Sequence, residues 1–185
     1  MAHEKDVMAA TEAERVDYLE QARKLADSYR IMLHRRDLLR QQYENSKSWF
    51  YTKDEIIYKL SQGAHEESAR VQTSSLSNPV ERTVLNCDKV LASMNREVQT
   101  QRTEQFLEPY YEVCKQIELF EVGLRSLRGQ TRLVAEQLFV DGKKQSEITG
   151  ADGNILSRRV VVRERENALM GIADTMRLYQ NRRQE

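Results

Sequence analysis

The sequence predicts an all-α fold: a long helical hairpin or coiled-coil-like N-terminal body followed by a C-terminal helix-turn-helix. Three observations lead there. Charged residues fill 31% of the 185 positions while Gly numbers 7 and Pro 2, a composition of long, solvated helices with few breaks. Apolar residues recur at steps of three and four along most of the chain, the period of one helix face. Near the C-terminus a glycine turn separates a helical segment from a short polar segment and a basic helix, the order of elements in a helix-turn-helix.

The first helix is expected from about Glu12 to about Ser48, opened by the capping-box pair Thr11 and Glu14, with the residues before it frayed. Leu19, Ala22, Ala26, Tyr29, Leu33 and Leu39 share its apolar face. Arg35, Arg36 and Arg40 are interleaved with Asp37 and Glu44, the pattern of a salt-bridged helix face more than of a DNA contact. Trp49-Phe50-Tyr51 is the one aromatic cluster. It reads as a core plug or staple where two helices meet, with a partner hot spot as the alternative. Thr52 and Glu55 form a second capping box, which predicts a short helix over Lys53 to Ser61 presenting Ile56, Ile57 and Leu60.

Gly63 to Asn78 is Ser/Thr-rich and aperiodic, the signature of a linker. Asn78 then caps a helix, Pro79 suits its first position and Glu81 its third. Val80, Val84, Cys87, Leu91, Met94 and Val98 form a seam of period 3.5, as in coiled coils. Polar Gln101 and Gln105 end it, and Glu108-Pro109 is expected to interrupt the helix. A second stripe follows at Tyr110, Val113, Ile117, Phe120, Leu124 and Leu127, with Gly129 as a stop. These stripes fit an intramolecular hairpin or a homodimer through helices 79–128. The chain divides on this basis into 1–62, a linker 63–78, a long helical region 79–128 and a terminal module 129–185.

Several function classes lack their residues. His3, His34 and His65 have no metal-ligand spacing, and Cys87 and Cys114 are two isolated thiols, so neither a metal site nor a disulfide framework is expected. No phosphate-binding glycine loop, dinucleotide turn or nucleophile elbow occurs. The expectation is a protein that is not an enzyme and uses no cofactor. No apolar run suits a membrane span and the start lacks a signal-peptide pattern, which predicts a cytoplasmic protein. The formal net charge is zero, but from Leu124 onward there are 12 Lys and Arg against 8 Asp and Glu, leaving 17 against 21 before it. A basic terminal module on an acidic body suits local contact with nucleic acid.

That module is where the residues carry chemistry. Arg132 to Val140 is helical in pattern and ends at Asp141-Gly142. Lys143 to Thr149 is a short polar segment, expected to be helical, anchored by Ile148. Leu156-Ser157 opens a basic helix from Arg158 to Met176. Arg158, Arg159 and Arg163 fall in its first two turns, where a major-groove helix reaches base edges and arginine pairs with guanine. Val161, Ala168, Leu169 and Ile172 form the inward face. Lys143, Lys144 and Gln145 suit backbone phosphates, and Ser157 is placed both to cap the helix and to donate to a phosphate. The competing reading is a basic surface helix whose arginines pair with Glu164 and Glu166.

The runs FVDGKKQSEI and LSRRVVVRERENAL resemble the region-4-type helix-turn-helix of sigma factors. Phe139, Asp141, Gly142, Glu147, Ile148, Leu156, Ser157, Arg159, Val161, Ala168 and Leu169 match its pattern. With RVQTS at Arg70 to Ser74 and NPVERTV upstream, the chain is similar to phage-encoded late-gene transcription regulators of the ArpU/RinA type. The resemblance implies binding to double-stranded promoter DNA in a bacterial host cell and contact with host RNA polymerase. The chain departs from the pattern at Thr149, where an Ala is usual, at Gln137 and Arg165, where Leu is usual, and in a longer turn carrying Gly150 and Gly153. A small-terminase-like DNA-packaging protein and a helical adaptor that binds only proteins are the other classes compatible with these features.

Overall fold

The apolar stripes fold as helices. A computed structural model describes residues 2–66 and 79–181, with side chains described over 16–59 and 87–179. The helices in order are α1 (Ala2–Asn45), α2 (Lys53–Glu66), α3 (Pro79–Arg102), α4 (Glu108–Ser126), α5 (Gly129–Ala135) and α6 (Arg158–Asn181). No strand is formed among the described residues; the one extended pairing is an isolated bridge between Thr149 and Ile155. The fold is all-α.

Helix boundaries depart from the sequence expectation in physically understandable ways. α1 begins at Ala2, so Thr11 lies inside the helix and is not its first cap. It ends at Asn45, three residues early, because Ser46–Trp49 tighten into a 3-10 turn. There the Ser46 hydroxyl donates to the Tyr43 carbonyl at 2.7 Å. α2 continues to Glu66, so Gly63 to Glu66 belong to a helix and not to a linker. The rest of the expected linker, the Asn78 cap and the RVQTS run lie outside the described residues. Pro79 does open α3.

Pro109 does not interrupt the helix. The backbone passes from α3 through a π-helical segment, Thr103–Leu107, directly into α4. The Glu108 N–H reaches back five residues to the Thr103 carbonyl. A proline removes one N–H and crowds the carbonyl four residues earlier. One wide turn just before Pro109 relieves that crowding and keeps the axis helical.

By tertiary contact the chain forms two compact units, one built from Met1–Asp37 with Tyr111–Glu185 and the other from Leu38–Tyr110. The first unit draws on both ends of the chain, which a division into consecutive segments does not anticipate.

The Leu38–Tyr110 unit is held by polar bonds around a small apolar core that includes Leu39, Ile56, Cys87 and Val98. The second capping box forms: the Thr52 N–H donates to the Glu55 carboxylate at 2.8 Å and the Glu55 N–H to the Thr52 hydroxyl at 3.4 Å. These bonds hold the Glu55 carboxyl below its usual pKa. Asn95 pairs with the Tyr51 backbone, accepting its N–H at 2.8 Å and donating to its carbonyl at 3.1 Å. Arg102 continues the buried stripe of α3 where the sequence suggests Gln101. It is 3% exposed. Its guanidinium donates to the Ser46 hydroxyl at 2.8 Å and to the Tyr43 carbonyl at 3.0 Å. It also lies 4.4 Å from the centre of the Tyr43 ring and 4.7 Å from that of Phe50. A cation at the carboxyl end of α1 answers the free carbonyls and the negative end of the helix dipole. Of the core plug and the staple, the aromatic trio is nearer the staple: Phe50 flanks Arg102, Trp49 meets Phe106 at 5.6 Å, and Trp49 stays 43% exposed.

In the other unit the second stripe is buried as expected at Val113, Ile117, Phe120, Leu124 and Leu127. Phe120 stacks with Tyr29 of α1 at 4.8 Å and meets Phe139 edge-on at 6.0 Å. α4 and α6 approach closely because each offers a glycine to the other. A Cβ on Gly123 would sit 2.8 Å from Ile172 Cγ2, and one on Gly171 would sit 2.6 Å from Leu127 Cδ2. The Ser126 and Thr175 hydroxyls bond at 2.8 Å across the same crossing.

Replacing Arg102 with Ala is expected to lower the unfolding free energy by about 2–4 kcal/mol, since the Ser46 hydroxyl loses its donor, the Tyr43 carbonyl loses one of two, and the buried side chain leaves a cavity. Lys at this position is not expected to restore it, lacking the planar fork. Urea denaturation followed through Trp49, the single tryptophan, checks this, and a loss below about 0.5 kcal/mol would refute the role given to Arg102.

Candidate nucleic-acid interface

The region between α5 and α6 is set by local chemistry. α5 runs on as a π-helical segment, Glu136–Val140, closed by the Asp141 N–H on the Glu136 carbonyl at 3.0 Å. Gly142 turns the chain at φ +68, a conformation that favours glycine. A side chain there would also collide with the Arg30 guanidinium of α1. The Lys143 N–H then bonds back to the Gln137 carbonyl at 2.9 Å, so the glycine turn expected at Asp141-Gly142 is present.

The short helix expected over Lys143 to Thr149 is not. A single 3-10 turn, Gln145–Glu147, stands in its place. Ile148 is already extended. A hairpin follows, in which the Gly150 N–H bonds to the Asn154 carbonyl at 2.9 Å and the Leu156 N–H to the Ile148 carbonyl at 2.9 Å. Asp152, Gly153 and Asn154 are turn formers, and Gly153 takes φ +78. These residues compete against helix here. The full helix-turn-helix is therefore not formed: α5 and α6 flank a 3-10 turn and a hairpin.

α6 is seated by a small apolar cluster and one buried carboxylate. Ile148, Val134 and Val161 are each fully buried in one cluster, with Leu138 and Leu156 packed against it. Glu164 lies on the same inward face and is 6% exposed. Its carboxylate accepts the Thr131 hydroxyl of α5 at 2.6 Å and two Arg163 N–H groups at 3.1 and 2.9 Å. The Thr131 bond is the main cause holding its pKa below the usual carboxylate value, aided by Arg163 and opposed by burial. Sequence reading missed this anchor, yet a signal was available: position 164 is three after Val161 and four before Ala168, both inward residues.

Farther along α6 the polar face is tied to α1. Arg23 pairs with Glu166 at 3.0 Å, and half-buried Arg165 pairs with Asp27 at 3.6 Å. Gln137 and Thr149, two further positions at which the sequence departs from the resemblance, are partners. Buried Gln137 donates to the Thr149 carbonyl at 2.8 Å, and its carbonyl oxygen accepts the Thr149 N–H at 3.1 Å and hydroxyl at 3.2 Å. This amide latch pins the hairpin to the end of α5.

The residues singled out for DNA contact are all exposed. Arg158 and Arg159 form no ion pair among the described residues and point from the first turn of α6. Arg163 is one position into the second turn, but its guanidinium is engaged by Glu164. Ser157 precedes the helix, and its carbonyl accepts the Val161 N–H at 3.1 Å. Its hydroxyl makes no cap bond among the described residues, so it caps through the backbone alone. Lys143 donates to Gln137 at 3.2 Å, beside the latch. Lys144 and Gln145 open the 3-10 turn, with the Lys144 N–H on the Glu147 carboxylate at 3.0 Å. Arg36 of the second basic patch is paired with Asp37 at 2.9 Å, in keeping with the salt-bridged face the sequence suggests there.

No helix among the described residues is long and apolar enough to cross a membrane. Comparison with family models, curated proteins and solved structures gave no match to the chain.

The Glu164 anchor has a pH signature. Its folded-state pKa is lowered, so its contribution to stability is complete above the unfolded value near 4.5 and is lost as pH falls through the folded value. Glu164→Gln is expected to be less stable than the parent near neutrality, with the gap constant above about pH 6 and closing in acid. Thermal or urea unfolding of both proteins across pH checks this; a gap that widens in acid would contradict the assignment.

Proposed function

We propose that the protein is a non-enzymatic, DNA-binding transcription regulator that lays the start of α6 in the major groove. The observation that carries this reading is the first turn of α6: Arg158 and Arg159 are exposed, have no ion-pair partner among the described residues, and stand on a helix start held by buried Val161 and Glu164. A free guanidinium fork at a helix N-terminus suits guanine edges and phosphates together. Lys143, Lys144, Gln145 and Ser157 precede α6 and suit contacts that fix register on the backbone without reading sequence. Arg163, neutralised by Glu164, is assigned a lesser share. The resemblance to phage ArpU/RinA-type regulators supports promoter DNA as the target and host RNA polymerase as a further partner.

The double variant Arg158→Ala, Arg159→Ala tests this in the full chain. Binding to duplexes selected from a random pool, measured at fixed salt, is expected to weaken at least about tenfold, since one good base contact is worth about 1–3 kcal/mol. Unchanged affinity with retained helicity would remove these residues from the interface. Parent protein without salt-dependent duplex binding would overturn the proposal.

A further inference from the structure

In the first two turns of α6 one exposed residue is apolar; Met170 and Leu178 are exposed farther along the helix. Val162 is 43% exposed and lies four residues after Arg158, three after Arg159 and one before Arg163. On a helix the positions three and four apart are neighbours, so Val162 borders Arg158 and Arg159, while Arg163 points aside to Glu164. Local structure does not ask for a valine here. It is a weaker helix former than Ala, Arg or Lys, and the adjoining Val161, fully buried, already supplies the apolar contact to the core. In the next turn Glu166 is paired with Arg23 of α1.

We infer that Val162 is a specificity-determining residue that packs on the C5-methyl group of thymine, next to the bases contacted by Arg158 and Arg159. The inference rests on the DNA-binding reading above and adds to it a base preference. The thymine methyl is the one apolar group that the four base pairs display in the major groove. An aliphatic side chain flanked by guanidinium groups therefore fits a thymine beside guanine. The cationic surround disfavours a purely apolar protein surface, which would leave those charges unpaired on docking.

The test uses the full chain and needs no known operator. Duplexes are selected from a random pool with the parent protein, and each thymine of the selected site is replaced in turn by deoxyuridine, which removes only the methyl. At one position next to a guanine, the parent is expected to lose roughly fourfold in affinity, the worth of burying one methyl-sized group. Val162→Ala is expected to bind the thymine and deoxyuridine duplexes equally, with unchanged helicity and Tm. A parent that selects a sequence but tolerates deoxyuridine at every position overturns the role of Val162 and leaves DNA binding standing. A Val162→Ala protein that keeps the full deoxyuridine penalty does the same. A parent that selects no duplex overturns both readings.

Discussion

The placement of the arginine-bearing start of α6 depends on burying Glu164 with its hydrogen bonds intact. A carboxylate 6% exposed is costly unless its oxygens are satisfied. Here the Thr131 hydroxyl takes one oxygen and the Arg163 guanidinium the other. The bond to Thr131 ties α6 to α5 at one angular setting, and the apolar cluster of Val134, Ile148 and Val161 ties it one turn earlier. With those two inward points fixed, the helical period leaves Arg158, Arg159 and Val162 facing solvent. The same anchor has a consequence for electrostatics. It pairs Arg163, so within the first two turns Arg158 and Arg159 are the arginines without an ion pair among the described residues.

Much of this fold was legible in the sequence because helix faces have a simple period. The stripes Ala22 to Tyr29 and Val113 to Leu127 are buried as the spacing predicts, and Thr52 with Glu55 forms the capping box their separation calls for. What was not legible comes from tertiary chemistry that overrides local signals. Pro109 signals a break, but a π turn absorbs it and the helix continues. Arg102 looks like a surface residue, yet three groups at the end of α1 and the Phe50 ring draw it inside. Gly63 to Glu66 look like linker but extend α2.

The candidate interface divides along the same line. The glycine turn at Gly142 and the inward residues Val161, Ala168, Leu169 and Ile172 follow from turn chemistry and periodicity. The short middle helix is cut to one 3-10 turn, because Lys144 and Ile148 on either side are extended and Thr149 bridges to Ile155. Gln137 and Thr149, each an isolated oddity in the sequence, make sense only as a pair: one amide satisfies the backbone and hydroxyl of the other residue. The hydrogen-bonded latch keeps the hairpin docked without leaving a buried polar group unpaired. Such coupled substitutions are invisible to a residue-by-residue comparison with a pattern.

The most direct measurement is amide hydrogen exchange of the full chain with and without a saturating selected duplex. The first N–H groups of a helix lack intrahelical partners and exchange readily. The account predicts that bound DNA slows exchange at residues 143–145 and 157–163 and leaves 38–110 unchanged. Protection confined to 38–110, or no protection anywhere at saturation, would contradict it.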